Sequence, residues 1–565
     1  MKNFVKKITC IAMAILIASA CGTFTGCRKK VVNTPEHLQI KMYKAGNGTQ
    51  SIKDVAKRFE QLNPGKTISI EENREPRIVE DEIANGPSLN TVDLYLAGGS
   101  FFNISNKGTR VFDGVTYDNA FVSLDDVWES TPYGETTPIK DKVYTAFADY
   151  YYNSEKEANR HSYYMPWIGD WAGLVYNSKM FDNYGWTVPV TTDEMFELCE
   201  QIISVTAKST NPNSKGKDIK ISPFTYSRED SYWGTILDEW WIQYDGIESY
   251  YLFAQGKNLD GEYTPDIVAS QGILESMRVI DKVLGTYYID DNGSVKARTN
   301  VYTDNTLSFR NYTSIQSTFL YGEKARVNEA GATTAAIMPN GGWLENEMIT
   351  NFESEISSGN VAFKAMKTPV ISAIVKKTSF KDAEDKDLKL RELIRWIDGG
   401  KVGERPSFAN DNDELIVTNA RNVVTPQSTA VMIIPSYSSS IDLAKDFIKF
   451  LYSDEAAKIF ISATKGIELP VYCDYTGVTL SEFQKSKFEV TGRKDIDFVM
   501  SPHKYPMTYM GALPTFNNIN EYGSLTANLA VSNPSDYRKV EDMFLLNYKT
   551  ASNGWQQKLK DAGIL

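Results

Sequence analysis

The residues that could do chemistry in this chain are mostly aromatic and acidic. It carries 10 Trp and 32 Tyr, and Tyr outnumbers its 26 Phe. Trp and Tyr join a flat apolar body to a polar handle, which suits wet recognition surfaces. Trp167, Asp170 and Trp171 stand close together, and Trp343 follows the turn Asn340-Gly341-Gly342. Trp233, Leu237, Trp240, Trp241 and Tyr244 recur at helical spacing, so a buried helix face accounts for Trp240 and Trp241. Trp233, at the start of that helix, lies nearer to any cleft. Nucleophile and metal chemistry have little material, with 3 His and 5 Cys. No G-x-S-x-G, Walker loop or H-E-x-x-H is present. A glycosidase needs two carboxylates roughly 5–10 Å apart. Asp238 and Glu239 make such a pair easy to nominate, but among 72 acids it carries no weight alone. Asp290-Asp291-Asn292-Gly293 and Asn410-Asp411-Asn412-Asp413-Glu414 offer oxygen ligands without the spacing of a calcium loop. Solvated turns are expected at both, with no metal and no cofactor.

Those residues must be positioned by a large scaffold. At 565 residues the chain has room for two large domains or three to four average ones. Hydrophobic residues at 42% and charged residues at 23% are globular values. A net charge of −12 argues against a nucleic-acid partner, since gripping phosphates takes a basic face.

The N-terminus reads as an export signal. Lys2, Lys6 and Lys7 precede an apolar run, residues 8–20, too short to span a bilayer. Phe24-Thr25-Gly26-Cys27 resembles the lipobox of bacterial lipoproteins, in which the cysteine is acylated; Phe departs from the usual first residue. Ala18-Ser19-Ala20-Cys21 is a second candidate. Residues 1–26 are thus expected to be a lipoprotein signal peptide, Cys27 the lipid attachment site and 27–36 a tether. Cys199 and Cys473 are expected as small buried residues, with a disulfide between them left open.

The body alternates strands and helices. Leu38, Ile40 and Met42 alternate with polar residues as a strand does. Ser51 and Asp54 fit a capping box for a helix with Ile52, Val55, Ala56, Phe59 and Leu62 on one face, stopped by Pro64-Gly65. A strand from Ile68, a helical stretch at 78–83 and an apolar strand at 92–97 complete the unit of a parallel sheet covered by helices. Ligands of such sheets sit beyond the carboxyl ends of the strands, which gives weight to Asn47 and Ser100. A second α/β region has a strand at 172–176, a helix capped by Thr191 and Glu194, and a strand at 334–338 leading through Gly341-Gly342 into Trp343 and a helix. Gly341 and Gly342 place backbone N–H groups at that helix start, able to donate to a hydroxyl or carboxylate. Leu443, Ala444, Phe447, Ile448 and Leu451 form an amphipathic helix, and Ser453 starts another. The stretch 376–430 is charged and weakly periodic and reads as an insertion.

Several of these segments carry a resemblance. Tyr163-Tyr164-Met165-Pro166-Trp167, then Gly173-Leu174-Val175-Tyr176-Asn177-Ser178-Lys179-Met180-Phe181, then Pro189 and Thr192-Asp193-Glu194, are similar to a block of the bacterial extracellular solute-binding proteins, the sugar-binding family of ABC importers. Val92-Asp93-Leu94-Tyr95, Ala335-Ala336-Ile337-Met338-Pro339-Asn340-Gly341-Gly342-Trp343, and the run from Ser440 to Leu451 resemble three further blocks of that family in the same order. The resemblance implies an α/β, two-lobed periplasmic-binding-protein-like fold of type II with ligand in the cleft. Crossings are expected near Pro166, near Thr368-Pro369, and after the 443–460 helices. Lobe 1 is then 37–166 plus 368–472, with the insertion at about 376–430, and lobe 2 is 167–367 plus 473–565. It also implies ligand contacts from Trp343, Trp167, Trp171 and Asp170, to which position in the predicted elements adds Trp233, Asn47 and Ser100. The expected protein is a lipid-anchored, monomeric subunit on the extracytoplasmic face, taking a sugar or oligosaccharide to the transmembrane subunits of an ABC permease. Two alternatives stay open: a lipid-anchored enzyme acting on glycans, and a sensor subunit presenting ligand to a membrane kinase.

Overall fold

The computed structural model describes residues 34–44, 46, 48–75, 78–225, 232–303, 312–327, 332–358, 361–425, 430–465, 467–491, 496–513 and 525–565. The signal segment, Cys27 and Asn47 lie outside the described residues.

The first lobe begins with β1 (His37–Tyr43), whose Leu38, Ile40 and Met42 are buried. Helix α1 (Gln50–Leu62) buries Ile52, Val55, Ala56 and Phe59 on one face. It starts two residues earlier than its sequence signature predicts. Thr49 stands at the N-cap without capping, because its hydroxyl donates instead to Glu72 at 2.7 Å. The chain returns as β2 (Thr67–Asn73), β3 (Leu94–Gly98) and, after a long excursion, β4 (Met165–Pro166).

Residues 167–171 then cross to a second sheet. There the chain forms β5 (Ala172–Tyr176), α2 (Thr192–Ile203), β6 (Thr206–Lys208), β7 (Asp218–Phe224), α3 (Tyr232–Asp245), α4 (Ile247–Gln255), β8 (Thr333–Gly341), α5 (Leu344–Ser357) and β9 (Lys364–Met366). Thr191 caps α2, accepting from the Glu194 N–H at 3.3 Å. Strand β8 runs three residues past its expected end, since Pro339, Asn340 and Gly341 pair with Leu174, Gly173 and Ala172 of β5.

Two helices follow, α6 (Lys386–Asp398) and α7 (Asp411–Asn422), then β10 (Val423–Val424). The chain re-enters the first sheet as β11 (Ala430–Ile433) and continues through α8 (Ile441–Leu451), α9 (Asp454–Thr464), α10 (Glu482–Thr491) and β12 (Asp497–Phe498). The first sheet has the order β2-β1-β3-β11-β4, with β1 parallel to β2 and β3 and the returning β11 antiparallel. The second has the order β9-β5-β8-β7-β6. Two five-stranded sheets joined by crossing segments make the two-lobed, type II periplasmic-binding-protein fold.

The segment 376–430 corrects the expectation drawn from its sequence. It is not an insertion in the first lobe. Leu390, Leu393, Ile394 and Ile397 of α6 and Val417 of α7 are buried in the core of the second lobe. Residues near Pro369 are tied there too: Trp240 Nε1 donates to the Pro369 carbonyl at 3.1 Å, and the Val370 N–H to Val190 at 2.9 Å. The second crossing therefore falls between β10 and β11, not at Thr368-Pro369. Its weak periodicity arises because charged residues of α6 and α7 are also used inside the lobe. Arg421 grips Asp398 through Nε and Nη2 and reaches the Thr368 carbonyl at 3.0 Å.

The two loops rich in acids are turns and caps. Asp290 Oδ1 accepts the N–H groups of Asn292 and Ser294 at the tip of a hairpin. Asn410 and Asp413 form a capping box on α7. Cys199 and Cys473 are both free thiols, the first buried in the second core.

Candidate ligand cleft

The chain passes between the two sheets at residues 167–171, between β10 and β11, and after α9, where the Gly169 N–H donates to the Glu468 carbonyl at 2.9 Å. The turn after β8 shows why its residue types are needed. A Cβ on Gly341 would stand 1.8 Å from the Trp343 ring, and one on Gly342 would stand 2.0 Å from Asp170 Oδ1. Only glycines let the turn fold Trp343 back and rest on the Asp170 carboxylate. Both glycine N–H groups are already engaged, contrary to their expected role as ligand donors. Gly341 donates to Asn340 Oδ1 at 2.8 Å and Gly342 to the Trp171 carbonyl at 3.1 Å.

Trp343 lies between the lobes rather than inside one. It is 3% exposed. Its ring meets Tyr232 of α3, centroids 5.5 Å apart, on one side. On the other it closes on Gly46 of the first lobe, where an added Cβ would stand 2.9 Å from the indole. Asn346, a residue along α5, donates to the Gly46 carbonyl at 2.7 Å. The lobes are closed on each other here.

The structure brings Trp343, Trp171 and Asp170 together through the Gly342 turn and leaves the other candidates apart. Trp167 is fully buried, with its indole N–H donated to the Ala97 carbonyl at the end of β3, so it packs the first lobe. Ser100 is half-buried, its hydroxyl 3.4 Å from the His503 carbonyl. Trp233 is fully buried against Phe224, edge to face at 5.5 Å.

Several polar groups around Phe224 and near the end of β8 lack a partner. Trp233 Nε1, Thr225 Oγ1, Thr303 Oγ1 and Asn340 Nδ2 are buried and have no hydrogen-bond partner. Thr225 follows β7, Thr303 bridges to Phe224 at its last residue, and Asn340 sits near the end of β8. Buried polar groups are nearly always satisfied, so a cluster of unmet ones implies something that satisfies them. Beneath them Asp170 is 3% exposed, and its carboxyl is raised to about 6 because burial outweighs the nearby Lys487 ammonium. Lys487 and its second partner Glu468 escape motif reading, since their positions become meaningful only when α10 and the segment after α9 fold beside Asp170.

The acid pair nominated for a glycan-acting enzyme has a different role. Glu239 is buried in the second lobe with both oxygens engaged, by the hydroxyl of Thr368 and by the N–H and hydroxyl of Thr425. It anchors the chain at the second crossing.

With the geometry in place, the comparisons define the class. Residues 45–243 match the family model described as bacterial extracellular solute-binding protein, which bears out the resemblance carried by the motifs. Three solved structures share the fold at low identity. RafE from Streptococcus pneumoniae, in its apo form, is 11% identical, covering 92% of this chain and 98% of its own, with a TM-score of 0.53. Maltose-bound T. maritima MalE3 is 14% identical, covering 92% and 99%, also at 0.53. The bacterial solute receptor AcbH, described with an exclusive preference for β-D-galactopyranose, is 11% identical, covering 92% and 99%, at 0.51. No match was found among curated protein sequences.

Proposed function

We propose that this chain is the extracytoplasmic ligand-capturing subunit of an ABC importer, holding a carbohydrate between its lobes and delivering it to a membrane permease. The observation that carries the reading is the set of unmet donors and hydroxyls at Trp233, Thr225 and Thr303 around Phe224 and at Asn340 in the strand that leads to Trp343. Sugars present hydroxyls around an apolar C–H face and need both kinds of partner. The ligands named for MalE3 and AcbH, maltose and a galactopyranose, are of this chemistry.

The test is a thermal-shift screen of mono- and oligosaccharides. A ligand at about 100 times its Kd stabilises the folded state by about 2.7 kcal/mol and raises Tm. A panel of common sugars without effect on Tm would sink the assignment. Acylation at Cys27 is the companion proposal, motivated by the Phe24-Thr25-Gly26-Cys27 block. Cys27→Ser is expected to release the protein from the membrane fraction or leave it unprocessed. Mass spectrometry finding an unmodified N-terminus elsewhere would remove the anchor. Among the described residues no helix is long and apolar enough to cross a membrane.

A further inference from the structure

Three ionisable side chains are buried together where two crossings meet the second lobe. Asp170 lies in the first crossing, Glu468 in the third, and Lys487 on α10. Their side chains are at most 2% exposed, and Lys487 Nζ stands 3.6 Å from Asp170 Oδ1 and 3.7 Å from Glu468 Oε2. Asp170 Oδ2 and Glu468 Oε2 have no hydrogen-bond partner. Among the described residues the other groups facing them are neutral. Thr491 donates to Glu468 at 3.3 Å, the Tyr144 hydroxyl also bonds Glu468, the Trp171 N–H meets Asp170 at 2.9 Å, and the Tyr475 phenol lies near Glu468. Two ionised carboxylates against one ammonium would leave an uncompensated negative charge out of water, which is costly.

The same groups are mechanically tied to the cleft. Gly169 N–H donates to the Glu468 carbonyl at 2.9 Å, so the first and third crossings touch. The Asp170 carboxyl supports the Gly342 turn that carries Trp343. Crossing segments are where two lobes hinge, so the surroundings of these groups change when the lobes move apart.

We propose that Asp170, Glu468 and Lys487 are positioning residues of the cleft, and that closing the lobes takes up one proton onto the two carboxylates. In the closed form burial raises Asp170 to about 6 and Glu468 to about 7. When the lobes open and the groups are hydrated, both move toward ordinary carboxylate values of about 4. The closed form therefore binds more protons between about pH 4 and 7, and a fall in pH through that window favours closure. The proton comes from solvent and returns to it on opening. Only the ligand arm of the test rests on the sugar-binding reading.

The decisive experiment uses the ligand-free protein. Small-angle scattering at pH 8 and pH 5.5 is expected to give a smaller radius of gyration at pH 5.5. Glu468→Gln, which mimics the protonated acid in shape and charge, should abolish that difference. Lys487→Met should move the transition to higher pH, because the ammonium that favours ionisation is gone; should it fail to fold, Glu468→Gln decides alone. A radius of gyration independent of pH in the wild type, or a Glu468→Gln variant that responds as the wild type does, overturns the proposal. With a sugar identified, titration calorimetry in buffers of different ionisation heat should show proton uptake on binding, and affinity weakening by at most about tenfold per pH unit as pH rises from 6 to 7. A pH-dependent radius in a protein that binds none of the sugars screened would remove the sugar reading and leave the proton-linked hinge standing.

Discussion

Trp240 and Trp241 on α3 and Trp343 at the start of α5 are all buried, yet their surroundings differ in kind. Trp240 donates to the Pro369 carbonyl and Trp241 to Asp245 Oδ2 at 2.9 Å, and both rings lie wholly within the second lobe. Trp343 is covered instead by residues of both lobes, Gly46 on one side and Tyr232 on the other. Asn340, three residues before it, keeps an unmet amide nitrogen, and Trp233, next to Tyr232 in the chain, an unmet indole N–H. A tryptophan whose N–H is satisfied by its own lobe holds that lobe together. One buried only because two lobes have met loses its cover when they part, and its face is then open to a ligand.

That contrast can be broken most sharply at Trp240. Trp240→Ala should cost about 3–5 kcal/mol of stability, because it leaves a cavity and an unpaired Pro369 carbonyl. Denaturant melts measure it, and the folded fraction should bind ligand with unchanged affinity. Trp343→Ala should instead cost about 1–3 kcal/mol of binding by titration calorimetry, with a smaller loss of stability than at Trp240. A large stability loss with unchanged affinity at Trp343 would make the two regions alike and weaken the sugar-binding reading. A comparable effect is expected at Gly342→Ala, whose Cβ would overlap Asp170 Oδ1. Displacing the turn should cost about 1–3 kcal/mol through overpacking. It should lower ligand affinity as well, whereas an overpacking change remote from the cleft should lower stability alone.

The buried carboxylates repeat the comparison. Glu239 is raised to about 7 by burial, but hydroxyl and N–H donors occupy both its oxygens. Asp170 and Glu468 share one ammonium and each keep an oxygen without a partner. Glu239 fixes one crossing in place; the other pair stays sensitive to what solvent can reach.

Local pattern was enough for much of the framework. The alternation of Leu38, Ile40 and Met42, the stripe of Ile52, Val55 and Phe59, and the apolar strand ending at Gly98 are short-range signals, and each became the expected element. The helical spacing of Trp240 and Trp241 likewise correctly marked a buried face. Ser51 misled as a cap because its neighbour Thr49 takes that position and turns its hydroxyl to Glu72 on another strand.

The sequence alone determined the alternation of strands and helices, the order of the family-like blocks and the residue types available to a cleft. These depend on periodicity and on contacts a few residues apart. Only the tertiary structure decided that α6 and α7 complete the second lobe, that Trp167 packs β3 while Trp343 lies between the lobes, and that Lys487 stands between Asp170 and Glu468. Those outcomes join residues far apart in the chain, from the 70 positions between Trp167 and Ala97 to the more than 300 between Asp170 and Lys487. Which carboxylate meets which ammonium, and whether water reaches them, is settled by how two lobes pack, and no spacing along the chain records that.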